Sequence, residues 1–199
     1  MKFLLRMCTQ QQSPQHQELA RIVTCSPWFM SALQAVRSLQ LQSWCIGAGA
    51  VRNLVWDYLH GYKEPSVLAD VDVCYFDPDA VAGQDEKLQQ RLQTTCPTIP
   101  WEVTNQALVH TWFERYFGYS VESLHSLTEA VATWPEFATS VGVSLGVNDQ
   151  IDIIAPHGLD DLFAMRVRRN PSRVSLETYQ FRVAQKQYVK RWPRVTVVL

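Results

Sequence analysis

Two aspartates separated by one residue could bind a divalent cation. Asp70 and Asp72 lie in the stretch ADVDVCYFD, which predicts a β-strand that ends at Asp77-Pro78. Because successive side chains of a strand alternate between its faces, both carboxylates should project from the same side. Two carboxylates that close repel each other, and half-burial makes their joint ionisation costly unless a cation lies between them. Mg²⁺ prefers oxygen ligands, so Mg²⁺ or Mn²⁺ is the expected cofactor.

A glycine-containing turn, Gly47-Ala48-Gly49, connects the predicted strand Trp44–Ile46 to a predicted helix. Backbone N–H groups at such a turn favour anions, and phosphate above all. Arg52 or Asn53 on the helix could assist. A phosphate cradle beside a divalent-metal pair predicts nucleotide chemistry. The alternative is that the glycines only permit a tight turn between strand and helix.

Four motifs carry a resemblance to known proteins: GAGAVRNLVWD, DVDVCYFD, WEVTNQALVH and APHGLDDLFAMRVRRNP. The first two resemble the polymerase-β-like nucleotidyltransferase superfamily. All four in this order are similar to a bacterial nucleotidyltransferase family of unknown substrate, over about His16 to Val195. The resemblance implies an α/β (α+β) fold, a small mixed sheet with surrounding helices, in one domain over residues 1–199. Many relatives have a Gly-Ser pair whose hydroxyl contacts phosphate, whereas this chain has Ala48.

The resemblance also implies a function, the metal-dependent transfer of a nucleoside monophosphate from an NTP to a hydroxyl. That mechanism needs a third carboxylate, which joins the metal pair and can accept the proton of the hydroxyl. Glu102 in WEVTNQ is the first candidate and Asp152 in QIDII is the second. The amides Asn105 and Gln106 could orient substrate. The rival interpretation is a non-catalytic nucleotide-binding or protein-interaction module that keeps the fold.

Apolar periodicity and turn residues predict the remaining elements. The predicted helices span Gln15–Cys25, Trp28–Leu39, Ala50–His60, Asp85–Thr95, Leu108–Phe117, Ser123–Val131, Asp160–Val167 and Leu176–Arg191. A third strand is predicted at Trp101–Gln106, and a hairpin over Val141–Val147 and Gln150–Ile154.

The charge balance argues against long nucleic acid as a partner. The formal net charge is −1, from 18 basic and 19 acidic side chains. The basic residues Arg182, Lys186 and Lys190 share one helical face, for which solvent exposure is expected in preference to a nucleic-acid stripe. The arginines near Pro171 could bind nucleotide phosphates or an anionic acceptor, or form a solvated helix end; they are Arg166, Arg168, Arg169 and Arg173. A small-molecule or protein acceptor is therefore expected besides the NTP.

The distribution of apolar residues predicts that the protein does not associate with a membrane. The chain contains no apolar run of the ~20 residues that a membrane span needs. The N-terminal stretch MKFLLRMCTQQQ is not typical of a signal peptide. The five cysteines show no metal-site spacing, which favours reduced thiols and a cytoplasmic location.

Overall fold

The structure of the protein, a computed structural model, describes residues 13–199. The N-terminal stretch for which no signal peptide is predicted lies outside this range, and so does Cys8. The helices are α1 (Pro14–Thr24), α2 (Pro27–Arg37), α3 (Ala48–His60), α4 (Gln84–Thr95), α5 (Val109–Phe117), α6 (Leu127–Ala132), α7 (Asp160–Phe163), α8 (Leu176–Lys186) and α9 (Tyr188–Arg191). The strands are β1 (Trp44–Gly47), β2 (Val71–Tyr75), β3 (Trp101–Asn105), β4 (Gly142–Leu145), β5 (Ile151–Ile154), β6 (Arg166–Arg168) and β7 (Thr196–Val198).

A five-stranded mixed sheet forms the centre of the molecule, and the predicted fold class is confirmed. Its strand order is β3-β2-β1-β4-β5. β2 and β3 are parallel, whereas β1 pairs antiparallel with both β2 and β4, and β4 pairs antiparallel with β5. The predicted hairpin is the β4–β5 pair. The parallel pair β2–β3 places the strand of the aspartates beside the strand of Glu102.

The two faces of the sheet differ in chemistry because the side chains alternate. On one face, Val71, Val73 and Tyr75 of β2 join the main apolar core with residues of α1, α2 and α3. On the other face, Asp72 and Cys74 alternate with them, and Cys74 packs with Cys45 in a smaller cluster under α6. The polar residues of the sheet therefore lie on the face that the main core leaves free.

α4 protects the open edge of β3. The backbone N–H of Val103 donates to Gln89 Oε1 at 3.1 Å, and that of Asn105 donates to Asp85 Oδ2 at 3.1 Å. These side chains replace the neighbouring strand that an edge position lacks. The register of β3, and with it the position of Glu102, is thereby fixed from both sides.

Three predicted helices have different boundaries in the structure. The helix predicted at Ser123 begins at Leu127, because the Ser126 hydroxyl accepts the Glu129 N–H at 3.1 Å and caps it there. The helix predicted over Asp160–Val167 is wrong in its second half. It ends at Phe163, Met165 adopts φ 52°, and the chain then forms β6.

The predicted final helix is divided, and a strand follows it. Gln187 has φ 49° and ψ 45°, a left-handed conformation that ends α8 and precedes α9. β7, which the sequence did not indicate, pairs in parallel with β6. The Tyr179 hydroxyl lies between their ends, 3.0 Å from Val167 O and 2.7 Å from Val198 O.

The C-terminal segment is fixed to α3 through a buried carboxylate. Asp57, 7% exposed, accepts hydrogen bonds from Trp192 Nε1 at 2.7 Å and from the Ser66 backbone N–H at 2.7 Å. In the part of the chain that the structure describes, the four cysteines are free and no helix is long and apolar enough to cross a membrane.

Candidate active site

Three carboxylates from β2 and β3 line one cavity of about 390 Å³. Asp72 on β2 lies directly opposite Glu102 on β3 in the parallel ladder, and Asp70 precedes β2 by one residue. The sheet thus brings together the three residues that the sequence predicted as one set. Asp152 is not among them, because it lies on β5 at the far edge of the sheet, opposite Ser144.

The carboxylates perturb one another. Burial is the main cause that raises the pKa of Asp72 to about 7, and repulsion by Asp70 and Glu102 adds to it. Lys186 and Arg52 act in the opposite direction and favour the ionised form. Asp72 is therefore a carboxylate whose charge needs a compensating cation. Within residues 13–199, no group of three or more His, Cys, Asp or Glu side chains is already arranged to hold a metal ion.

Packing accounts for Gly47 at the strand–helix turn. A Cβ on Gly47 would lie 2.4 Å from Cη2 of Trp134, so only glycine allows this ring to approach. The backbone N–H of Ala48 donates to Val141 O at 3.2 Å and is not free for a ligand. Ala48 and Gly49 line the cavity, and Gly49 lies in the first turn of α3, where N–H groups lack intrahelical acceptors. Of the predicted cradle, Gly49 is the residue placed to bind an anion.

Arg52 points into the cavity from α3, whereas Asn53 supports it from behind. Arg52 is 4% exposed, and its Nη2 donates to Asn53 Oδ1 at 2.8 Å. Its guanidinium lies over three aromatic rings, with Cζ 5.0 Å from the ring centre of Tyr188, 5.6 Å from that of Trp56 and 5.7 Å from that of Trp192. Its Nε has no hydrogen-bond partner among residues 13–199. Arg52 is therefore held in place by its neighbours, while its Nε–H group remains available to a ligand.

Two further cations come from α8, and the sequence interpretation missed them. Arg182 and Lys186 were expected to face solvent, yet both line the cavity. Arg182 Nε lies 2.9 Å from Oε1 of Glu136, a carboxylate that is 1% exposed and also accepts from the Thr139 hydroxyl at 2.9 Å. The four-residue spacing of Arg182 and Lys186 was the available signal, since it places both on one helical face.

Three of the arginines near Pro171 have different surroundings. Arg166 and Arg168 both pair with Asp161, at 3.0 and 2.7 Å. Arg173 instead lines the cavity, with no ion pair among the described residues, and its guanidinium Nη2 donates to Glu122 O at 2.6 Å. Burial lowers the pKa of Arg173 from its ordinary value. The cavity therefore combines three carboxylates with several cations.

Comparison with known proteins identifies the family and the fold. The profile of a family described as nucleotidyltransferase matches residues 34–197. A structure solved by NMR and described as a CCA-adding enzyme head domain is 28% identical, with a TM-score of 0.78 over 92% of this chain and 95% of that chain. No curated protein matches the sequence.

Two structures described as a tRNA-processing enzyme are more distant. An apo form is 18% identical, with a TM-score of 0.48 over 94% of this chain and 45% of that chain. A complex is 18% identical, with a TM-score of 0.49 over 83% of this chain and 42% of that chain. The chain spans less than half the length of these two structures.

Proposed function

The protein belongs to a nucleotidyltransferase family, and we propose that it transfers a nucleoside monophosphate from an NTP to a hydroxyl of a small-molecule or protein acceptor, with Mg²⁺ or Mn²⁺ as cofactor. The observation that carries this proposal is the shared cavity. Asp70, Asp72 and Glu102 line it together with Arg52, Arg182 and Lys186. Carboxylates for a metal and cations for phosphates are the two components that nucleotidyl transfer requires.

The residues present suit a hard divalent ion. Their donors are carboxylate oxygens, and the pKa of Asp72 is raised first by burial and then by the neighbouring charges of Asp70 and Glu102, both of which a bound cation would offset. Asp70, Asp72 and Glu102 would hold the ion. When bound, Mg²⁺ supplies stabilisation of the negative charge that develops on the phosphate oxygens.

Arg52, Arg182 and Lys186 would bind the triphosphate. Arg52 and Arg182 are both held by neighbouring side chains, so they need little reordering when an anion arrives. Gly49 at the start of α3 would add a backbone N–H. This set of donors takes the place of the hydroxyl that many relatives have and that Ala48 cannot provide.

The chemical step is a displacement at the α-phosphorus. The acceptor oxygen forms a bond to this phosphorus, the bond to the oxygen bridging to the β-phosphate breaks, and pyrophosphate leaves. Glu102 would accept the proton of the acceptor hydroxyl, because it is exposed to solvent where an acceptor can approach. The cations would stabilise the charge on the departing pyrophosphate.

The experiment is a screen for nucleotide transfer with purified protein. Each of the four NTPs is incubated with Mg²⁺ or Mn²⁺ and pools of metabolites, proteins and short RNAs, and both pyrophosphate and nucleotidylated product are measured. We expect a metal-dependent product that falls at least 100-fold in Asp72→Asn. Product formation that is unchanged in this variant would contradict the proposal.

A further inference from the structure

A second part of the cavity wall is aromatic and has no role in the proposed chemistry. Trp112, Phe113, Phe117 and Tyr119 line it. Phe113 is the centre of the group, with its ring centre 4.3 Å from that of Phe117 and 5.4 Å from that of Tyr119. These rings belong to neither apolar core of the described residues. Core packing therefore does not explain why α5 and the segment after it carry them.

The aromatic wall is fixed in position. The Arg173 guanidinium lies over Phe113, 5.8 Å from its ring centre, and donates to Glu122 O at 2.6 Å. The Tyr119 hydroxyl donates in turn to Arg173 O. These contacts hold the segment after α5 against the segment before α8 and keep Phe113 and Tyr119 in place.

An amide without a partner lies between this wall and the carboxylates. Gln106 is 8% exposed and lines the cavity, and its side-chain amide has no hydrogen-bond partner among residues 13–199. The neighbouring Asn105 differs, because its amide donates to Asp77 O at 2.6 Å and accepts from the Ala107 N–H at 3.1 Å. The side-chain amide of Gln106 is not among the buried polar atoms of the described residues that lack a partner, so it is open to the cavity and free to bind a ligand there.

Gln106 and the aromatic residues of α5 follow Glu102 closely in the sequence. Glu102 and Thr104 are alternate residues of β3, about 6–7 Å apart along the strand, and both line the cavity. Gln106 opens the short 3₁₀ turn that connects β3 to α5. The cavity therefore passes from charged groups to an amide and then to aromatic rings.

We propose that this aromatic wall and Gln106 bind the nucleobase of the donor nucleotide, an inference that rests on the proposed function. Aromatic side chains stack on any base, and a carboxamide presents a donor and an acceptor that match a base edge. The cavity of about 390 Å³ is near the lower end of the ~300–1000 Å³ range of sites for one small ligand. It therefore suits one nucleotide, with the acceptor entering from the exposed side at Glu102.

The test compares nucleotides with inorganic tripolyphosphate, which has the phosphates but no base. Affinities of non-hydrolysable analogues of the four NTPs and of tripolyphosphate are measured by calorimetry with Mg²⁺. The wild-type protein should bind the nucleotides more tightly than tripolyphosphate. Trp112→Leu should weaken nucleotide binding about tenfold, the size expected for one stacked base, and leave tripolyphosphate binding unchanged. Gln106→Leu should change the relative affinities of the four nucleotides.

Two controls separate the possible failures. Phe181→Leu removes an aromatic ring that is 68% exposed and lies outside the cavity, and it should change neither affinity. Lys186→Gln should weaken nucleotide and tripolyphosphate alike. Equal wild-type affinity for the two ligands, or unchanged nucleotide affinity in a folded Trp112→Leu protein, would overturn the base site alone. A wild-type protein that binds neither ligand would overturn the proposed function and the base site together.

Discussion

Asp72 and Glu102 are paired across two parallel strands, and this pairing positions the proposed chemistry. Residues opposite each other in a ladder have a fixed Cα separation, so the sheet keeps the origins of these two side chains next to each other. Burial raises the pKa of Asp72, the like charges of Asp70 and Glu102 raise it further, and both effects favour a bound cation. Asp152, on a strand of similar sequence, lacks such neighbours because its strand is at the other edge.

This difference gives a prediction at the residue scale. Glu102→Gln keeps the shape of the side chain but removes the proton acceptor, so turnover should fall about 10²–10⁴-fold. The matched variant Asp152→Asn removes a carboxylate outside the cavity and should change turnover less than twofold. Both rates are measured as pyrophosphate release under single-turnover conditions. A greater loss in Asp152→Asn than in Glu102→Gln would reverse the assignment of the third carboxylate.

Residue patterns predicted one half of the site and missed the other. Asp70 and Asp72 could be proposed together because strand alternation is a local rule, and Glu102 because WEVTNQ matches a motif of the family that the sequence resembles. Arg182 and Lys186 could not, since their helical face is equally suited to solvent, and only the docking of α8 over the sheet directs it into the cavity. The role of Gly47 was likewise hidden, because the ring that needs its missing side chain belongs to the distant Trp134.

The junction between β1 and α3 is the element that the glycines shape, and their two roles can be separated. Gly47→Ala should destabilise the protein by about 1–3 kcal/mol, because its Cβ would overlap the Trp134 ring. In Gly49→Ala the nearest atom to the new Cβ is Arg52 Nη2, at an ordinary 3.6 Å, and the free energy of unfolding should change little. Chemical denaturation of both variants gives the comparison. Equal stability of the two would show that Trp134 does not constrain Gly47.

α8 is attached to the rest of the molecule by the buried pair Arg182–Glu136. Arg182→Gln would leave Glu136 buried without its cation, and a loss of about 3–5 kcal/mol in the free energy of unfolding is expected. Lys186 has no ion pair in the described part of the chain, so Lys186→Gln should keep wild-type stability. If urea unfolding shows the same stability for both variants, the pair does not hold α8 in place.

Prediction of the elements succeeded where their signals were local. The strands β2 and β3 were both predicted, because apolar alternation marks each of them, whereas their parallel pairing was not predicted. The division of the last helix at Gln187 was not predicted either, because nothing in the residue type requires a left-handed conformation there. β7 was missed for a related reason: it is a three-residue strand whose only partner is the equally short β6.

Charge over the whole molecule bears on the acceptor. The net charge of −1 provides no general attraction for a polyanion, and the cations of the cavity face one nucleotide-sized space. We therefore expect no micromolar binding of tRNA or single-stranded RNA in an anisotropy titration at about 150 mM salt. Micromolar or tighter binding that weakens steeply with added salt would instead favour a nucleic-acid acceptor.

Binding of Mn²⁺ together with a non-hydrolysable NTP tests the carboxylate cluster most directly. In calorimetry, the wild-type protein should bind Mn²⁺ with the nucleotide present, and Asp72→Asn should weaken this binding at least tenfold because one of the proposed ligands loses its charge. Asp152→Asn is the matched control and should bind as the wild type does. Equal Mn²⁺ affinity of the wild-type protein and a folded Asp72→Asn variant would contradict the proposed metal site.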